Sequence, residues 1–249
     1  MIQTLRKPDR IVQPCGFCGG CGHGVIQRLI AECLEELGIS DRAINCVDIA
    51  CCFWTLDGMD LDGIAGPHGR LPAVATGIKK TRPDDIVYIH AGDGASYTIG
   101  IAETVHICLR DVPVTMIVVN NGVFGMTGGQ MSLGTTLLGQ ATTSTPRGRN
   151  ESSNGSPGDF LQALSQFDFE FAARGALYSV KEINRTKQLI KKGFQNQMEK
   201  KGFSLIEVLS ACPTNWHLSP VAANKRVEEV VAAQFPLRVY KDRGGMSDG

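Results

Sequence analysis

No stretch of this sequence stays apolar for the roughly twenty residues a bilayer crossing takes, and the N-terminal MIQTLRKPDR lacks the apolar core of a secretory leader. A cytoplasmic protein with no membrane partner is the expectation. Charge of one sign is missing too. Lys and Arg number 25, as do Asp and Glu, and no basic run alternates with aromatics, so nucleic acid is not an expected partner. Aromatics make up only 6% of the chain, whereas its 29 glycines suit loops that approach a ligand closely. Nine cysteines without a leader argue against a disulfide scaffold and for metal ligation.

What is present reads as one α/β domain over residues 1–249, with a mostly parallel sheet flanked by helices. A cysteine loop at about residues 14–23 leads into a helix whose apolar positions run from Val25 to Leu37, with Gly38 as its C-terminal stop. Ala43–Ala50 reads as a strand that runs into Cys51-Cys52, and Pro72–Lys80 as a helix stopped by Pro83. Residues 126–158 are rich in Gly, Ser, Thr and Pro; a loop that long is expected to serve as a lid or a partner contact. After it, the pattern predicts a helix at Phe160–Arg174 ended by Gly175, a strand at Leu177–Val180, a helix at Ile183–Lys200 and a strand at Phe203–Leu209. A helix within Val221–Phe235 and a poorly ordered tail at about residues 240–249 complete the expectation.

The densest chemistry lies between Asp85 and Thr127. Ile86–Ile89 and Val114–Val119 are apolar, β-branched runs of the kind buried on both faces, and the segment from Ser96 to Arg110 supplies one crossover helix. The two strands of such a unit are parallel, so Gly92-Asp93-Gly94 and Asn120-Asn121-Gly122 both lie at carboxyl ends, facing the crevice where α/β sheets bind ligands. Asp93 and Asn121 then offer oxygens to one hard cation, and the glycines beside Asp93 let phosphate approach the backbone. A Mg²⁺–diphosphate cradle is the reading that uses both turns.

The cysteines sort by position. Cys18 and Cys21 form CxxC, which Cys15 extends upstream, and the local run lacks the nearby fourth cysteine of a ferredoxin. Cys51, Cys52 and Cys212 stand at strand ends on the same side as Asp93. Spacing alone leaves zinc and an iron–sulfur cluster both open. Cys33, Cys46 and Cys108 sit within elements and read as small core residues. His90 and His106 read as structural, while His23, after the cysteine loop, is placed to hydrogen-bond within a site.

GDG followed by NN resembles the thiamine diphosphate signature, and NNGVFGMTGGQ with HGRLPAVATGIK upstream resembles the β subunit of 2-oxoacid:ferredoxin oxidoreductases, over about Cys18 to Trp216. The resemblance implies the thiamine diphosphate-binding fold, Mg²⁺ held by Asp93, Asn121 and the carbonyl of Val123, and a [4Fe–4S] cluster on Cys18, Cys21, Cys51 and Cys212. Here IACC puts Cys52 beside Cys51, and Cys15 is a spare thiol, so the third cluster ligand is the least fixed. It also implies cofactor contacts from Ile49, Ala50, Cys51, Cys52, His68, Gly69, Gly92, Gly94, Ala95, Gly125, Met126 and Thr127, and roles in catalysis for His68 and Arg70. Gly128 stands where some members carry a lysine that contacts substrate.

The implied reaction is coenzyme A-dependent oxidative decarboxylation of a 2-oxoacid, 2-oxoglutarate first and branched-chain, aromatic acids or pyruvate after it, with ferredoxin reduced. Thiamine also needs a pyrimidine-binding half. The resemblance assigns that half to an α subunit, with further γ and δ subunits in a hetero-oligomer. A non-redox thiamine decarboxylase and a zinc-stabilised binding module are the rival classes.

Overall fold

The computed structural model describes residues 6–245, so the last four residues of the expected flexible tail lie outside the described part. One seven-stranded sheet runs in the order β2-β1-β3-β4-β8-β7-β9. Its strands are β1 Ala43–Val47, β2 Asp62–Ala65, β3 Ile86–Gly92, β4 Thr115–Asn120, β7 Phe171–Ala176, β8 Ser204–Leu209 and β9 Val239–Asp242; β5 Val123–Phe124 and β6 Gln130–Met131 make a separate small hairpin. All pairings within the large sheet are parallel except β7 with β9. The helices are α1 His23–Glu36, α2 Thr55–Gly58, α3 Leu71–Thr81, α4 Ile101–Arg110, α5 Glu151–Asn154, α6 Phe160–Leu164, α7 Val180–Met198, α8 Pro213–Trp216, α9 Pro220–Arg226 and α10 Ala232–Gln234.

Alternation along the central strands feeds two core layers. Tyr88, Ile117, Val119 and Ile206 point to the face covered by α1 and α7. Val87, Ile89, Met116, Val118 and Leu205 point to the other, with Leu71 of α3 and Ile107 of α4. Because β1, β3, β4 and β8 are parallel, all four end on one side, and that side carries every candidate ligand loop. Cys33, Cys46 and Cys108 are fully buried core residues.

Four expectations need correction. The first predicted strand is shorter: β1 stops at Val47, because Asp48 turns away to hold a loop. The predicted helix Phe160–Arg174 stops at Leu164, and Phe171–Ala176 is a buried strand, not helix. Its alanines favour helix in isolation, but here small residues let α7 lie close: a Cβ on Gly175 would come within 2.3 Å of the Thr186 hydroxyl. The predicted strand at Leu177–Val180 is instead the turn into α7, where the Ser179 hydroxyl accepts the Glu182 N–H at 3.3 Å. Within the tail, Val239–Asp242 is an edge strand rather than loose chain, registered against Phe171 and Ala172.

Candidate functional site

The cradle forms where β3 and β4 end side by side, Gly92 opposite Val119. Asp93 is buried, 1% exposed, and lies on a narrow cleft of about 30 Å³ lined also by His23, Cys51, His68, Asn121 and Val123. Burial pushes its carboxyl up to about 6; the Thr135 and Ser132 hydroxyls and the backbone N–H of Asn121 offset only part of that. Among the described residues no Lys or Arg pairs with Asp93. A buried carboxylate left without a cation costs several kcal/mol or takes up a proton, so this one suits a bound divalent ion.

Two hydrogen bonds orient Asn121. Its Oδ1 accepts the Val123 N–H at 3.2 Å, and its carbonyl accepts the Trp216 indole N–H at 3.1 Å. The preceding Asn120 accepts the Gly122 N–H at 3.2 Å through Oδ1 and donates from Nδ2 to Glu207 at 2.6 Å. Glu207, on the neighbouring β8, is held in turn by Arg174 at 3.0 Å, and Arg174 pairs with Asp159 ahead of α6. This buried set sits behind the turn, and no motif marks it.

After Gly94 the backbone makes a wide turn, with the Gly100 N–H donating to the Ala95 carbonyl at 2.8 Å, five residues back; such turns recur at functional sites. Gly100 presses on Gly69, whose φ is +77°, and a Cβ on Gly100 would lie 2.2 Å from the Gly69 carbonyl oxygen. Only glycines allow that contact. The other end of the His68-Gly69 loop is fixed by Asp48: one carboxylate oxygen accepts the Gly69 N–H at 2.9 Å and the other pairs with His68 Nδ1. Sequence reasoning passed over Asp48; its signal was a lone acid closing the apolar run AINCV. Arg70 turns outward to pair with Glu103 on α4 and does not line the cleft.

Cys18, Cys21, Cys51 and Cys212 come together on the same side. Burial pushes the Cys21 thiol up to about 12, and the nearby Cys51, Cys212 and Cys18 thiols add to it. Cys51 is pushed up to about 11, by burial first and then by Cys212 and Cys18. Gly125 is the shared neighbour: a Cβ there would sit 3.3 Å from the sulfur of Cys51 and 3.8 Å from that of Cys212. The two spare thiols point elsewhere. Cys15 donates to Gln27 at 3.0 Å, and buried Cys52 donates to the Asp48 carbonyl at 3.5 Å. No three acidic, Cys or His side chains among the described residues converge on a single ion.

Of the other expected contacts, Ala50, Gly92, Gly94, Ala95 and Gly125 line the cleft, while Ile49, Met126 and Thr127 lie on the surface beside it. The segment 126–158 folds over the cradle. Thr135 donates to Asp93, and buried Arg149 donates to the carbonyls of Thr136 at 2.6 Å and Gly155 at 2.8 Å.

A family model described as the thiamine pyrophosphate enzyme, C-terminal TPP binding domain, matches residues 49–208. The chain is 36% identical over 99% of its length to ketoisovalerate oxidoreductase subunit VorA of Methanothermobacter thermautotrophicus, and it spans about half of that protein, 54%. It is 36% identical to 2-oxoglutarate synthase subunit KorB of Methanocaldococcus jannaschii, over 84% of this chain and 72% of that one. Its fold matches a 2-oxoglutarate:ferredoxin oxidoreductase from Magnetococcus marinus, solved with 2-oxoglutarate, coenzyme A and succinyl-CoA bound, at a TM-score of 0.73 and 28% identity, covering 85% of this chain and 69% of that chain. No helix among the described residues is long and apolar enough to cross a membrane.

Proposed function

We propose, from the premise that the chain belongs to the β subunits of 2-oxoacid:ferredoxin oxidoreductases within the thiamine pyrophosphate enzymes, that it holds the diphosphate end of thiamine diphosphate beside a [4Fe–4S] cluster. The complex it serves would decarboxylate a 2-oxoacid, pass the acyl group to coenzyme A and reduce ferredoxin. One observation carries this: a buried acid without a cation, Asp93, lies on the same cleft as Cys51, whose thiol stands among three others.

The residues fit the groups. Asp93 and the Asn121 side chain, with the Val123 carbonyl, would hold Mg²⁺, and the backbone at Gly92 and Gly94 would meet phosphate oxygens. Cys18, Cys21, Cys51 and Cys212 would hold the cluster. When bound, thiamine supplies an electron sink for decarboxylation and the cluster accepts electrons singly. The chain's own residues orient and shield. Asp48 fixes the His68 loop, Trp216 and Asn120 fix the metal turn, and Thr135 covers Asp93 with the 126–158 segment. Among the described residues there is one large α/β sheet and no second one to hold the aminopyrimidine ring, so an α subunit would supply that half across an interface.

For the substrate, the sequence leaned to 2-oxoglutarate. The match to a ketoisovalerate subunit, which runs over 99% of the chain, favours a branched-chain 2-oxoacid instead. The test is to purify this chain with its partner subunits and measure iron, acid-labile sulfide and coenzyme A-dependent viologen reduction across a panel of 2-oxoacids. Cys51→Ser should abolish iron retention, while Cys52→Ser and Cys15→Ser keep it. Zinc in place of iron, or robust turnover by this chain alone, would sink the reading.

A further inference from the structure

Two histidines meet beneath the cleft in a way the proposed chemistry has not used. His23 opens α1, two residues after Cys21, and His90 lies on β3, three residues before Asp93. Both are buried, and His23 Nδ1 lies 3.2 Å from His90 Nε2. Phe17 stacks on the His23 ring at 5.5 Å, so the ring is held on one face and at one edge. A contact between two ring nitrogens needs one donor and one acceptor, so a single proton lies between the rings.

His90 Nδ1 decides the placement. It is buried and has no partner among the described residues. A proton there would be an orphaned N–H, which folded proteins almost never tolerate, whereas a lone pair there leaves the proton on Nε2 for the bond to His23. His90 therefore donates, His23 Nδ1 accepts, and the His23 proton must be on Nε2. That nitrogen has no partner among the described residues, and His23 lines the cleft together with Asp93, Asn121 and His68.

We infer that His23 is a neutral hydrogen-bond donor to an oxyanion bound in the cleft, and that His90 is the positioning residue that fixes its tautomer. The inference rests on the thiamine reading. The oxyanion is a phosphate oxygen of the cofactor or an oxygen of the 2-oxoacid, the two anions that meet there in that reading. A neutral N–H suits both, since it stabilises negative charge without giving up a proton, and a donor held in place needs no rearrangement when charge develops.

The experiment uses the whole complex stripped of thiamine, with His23→Leu, His23→Gln and His90→Leu. Calorimetric titration with Mg²⁺–thiamine diphosphate, and with Mg²⁺–inorganic diphosphate, reads the first source; kcat and KM for the 2-oxoacid at saturating cofactor read the second. A phosphate acceptor predicts about tenfold weaker binding of both diphosphates in His23→Leu, the size of one charge-assisted hydrogen bond, with His23→Gln restoring it within about threefold. A substrate acceptor predicts unchanged diphosphate binding, a comparable fall in kcat/KM in His23→Leu, and recovery in His23→Gln. His90→Leu should reproduce part of whichever loss occurs. If His23→Leu and His23→Gln behave alike in both measurements, the donor role is overturned. A shift in cluster reduction potential with both affinities intact overturns it too, because the proton then faces cluster sulfur. Failure of the wild-type complex to bind Mg²⁺–thiamine diphosphate would instead bring down the functional reading.

Discussion

Asp93, just past the end of β3, and Glu207, on β8, are both 1% exposed and both within reach of the Asn120-Asn121 turn, yet the chain treats them oppositely. Glu207 is satisfied internally. Arg174 pairs with it at 3.0 Å, Asn120 donates to it, and the Tyr97 hydroxyl lies at 3.4 Å. Although burial works against the charged guanidinium, Glu207 and Asp159 hold Arg174 firmly protonated. Asp93 receives hydroxyls and backbone N–H groups but, among the described residues, no Lys or Arg, and burial pushes its carboxyl up to about 6. One buried acid is completed by the fold, and the other is completed from outside. That difference separates a structural acid from a ligand at the same depth.

Substitution should break the comparison cleanly. Asp93→Asn should lower affinity for Mg²⁺–thiamine diphosphate by roughly a hundredfold or more, measured by calorimetry, because it removes the charge that meets the metal. The same change should stabilise the cofactor-free protein. Folding raises the pKa of Asp93, so its favourable contribution is complete below the ordinary 3.8 and is lost as pH rises through about 6. Between pH 4 and pH 7 the variant should gain on wild type by up to about 3 kcal/mol in urea unfolding. A flat difference across that range would mean that Asp93 is not desolvated.

Glu207→Ala should behave in the reverse sense, destabilising the protein by about 3–5 kcal/mol, because Arg174 loses a buried partner. Its stability loss should appear with or without Mg²⁺. A stable Glu207→Ala protein would put Glu207 with Asp93 rather than opposite it. The smallest effect belongs to Arg70→Ala. Its pair with Glu103 is partly exposed, so stability should change by less than about 1 kcal/mol and kcat by only a few-fold. A large fall in kcat with unchanged stability would return Arg70 to the catalytic machinery.

The cradle was legible because its signals are local. Glycines next to an acid, and an asparagine pair after an apolar strand, mark turn positions whatever the distant chain does. That the cysteine loop, Cys51-Cys52 and Cys212 share one side was legible in the same way, since parallel strands place their ends together; the choice of Cys18, Cys21, Cys51 and Cys212 rested on the family resemblance. The structure directs Cys15 to Gln27 and Cys52 to Asp48, contacts that no spacing encodes. Phe171–Ala176 was misread because its alanines express what α7 needs of the strand, not the strand's own preference. Tyr240 was missed for a related reason: its edge strand exists only because β7 lies beside it and its hydroxyl meets the Asp159–Arg174 pair. The His23–His90 contact spans 67 residues; His23 reads as a residue near a site and His90 as structural, and no spacing joins the two.

The two edges of the sheet differ in a way that matters when the chain is made alone. At one edge β9 runs antiparallel, and its Lys241 and Asp242 put charge on the rim. At the other, all of β2, Asp62–Ala65, is exposed, with Ile64 40% accessible and Asp62 its single charge. An open strand of this kind pairs readily with another chain. Partner-free overproduction would therefore be expected to fail first by strand addition along β2, well before the core itself gives way.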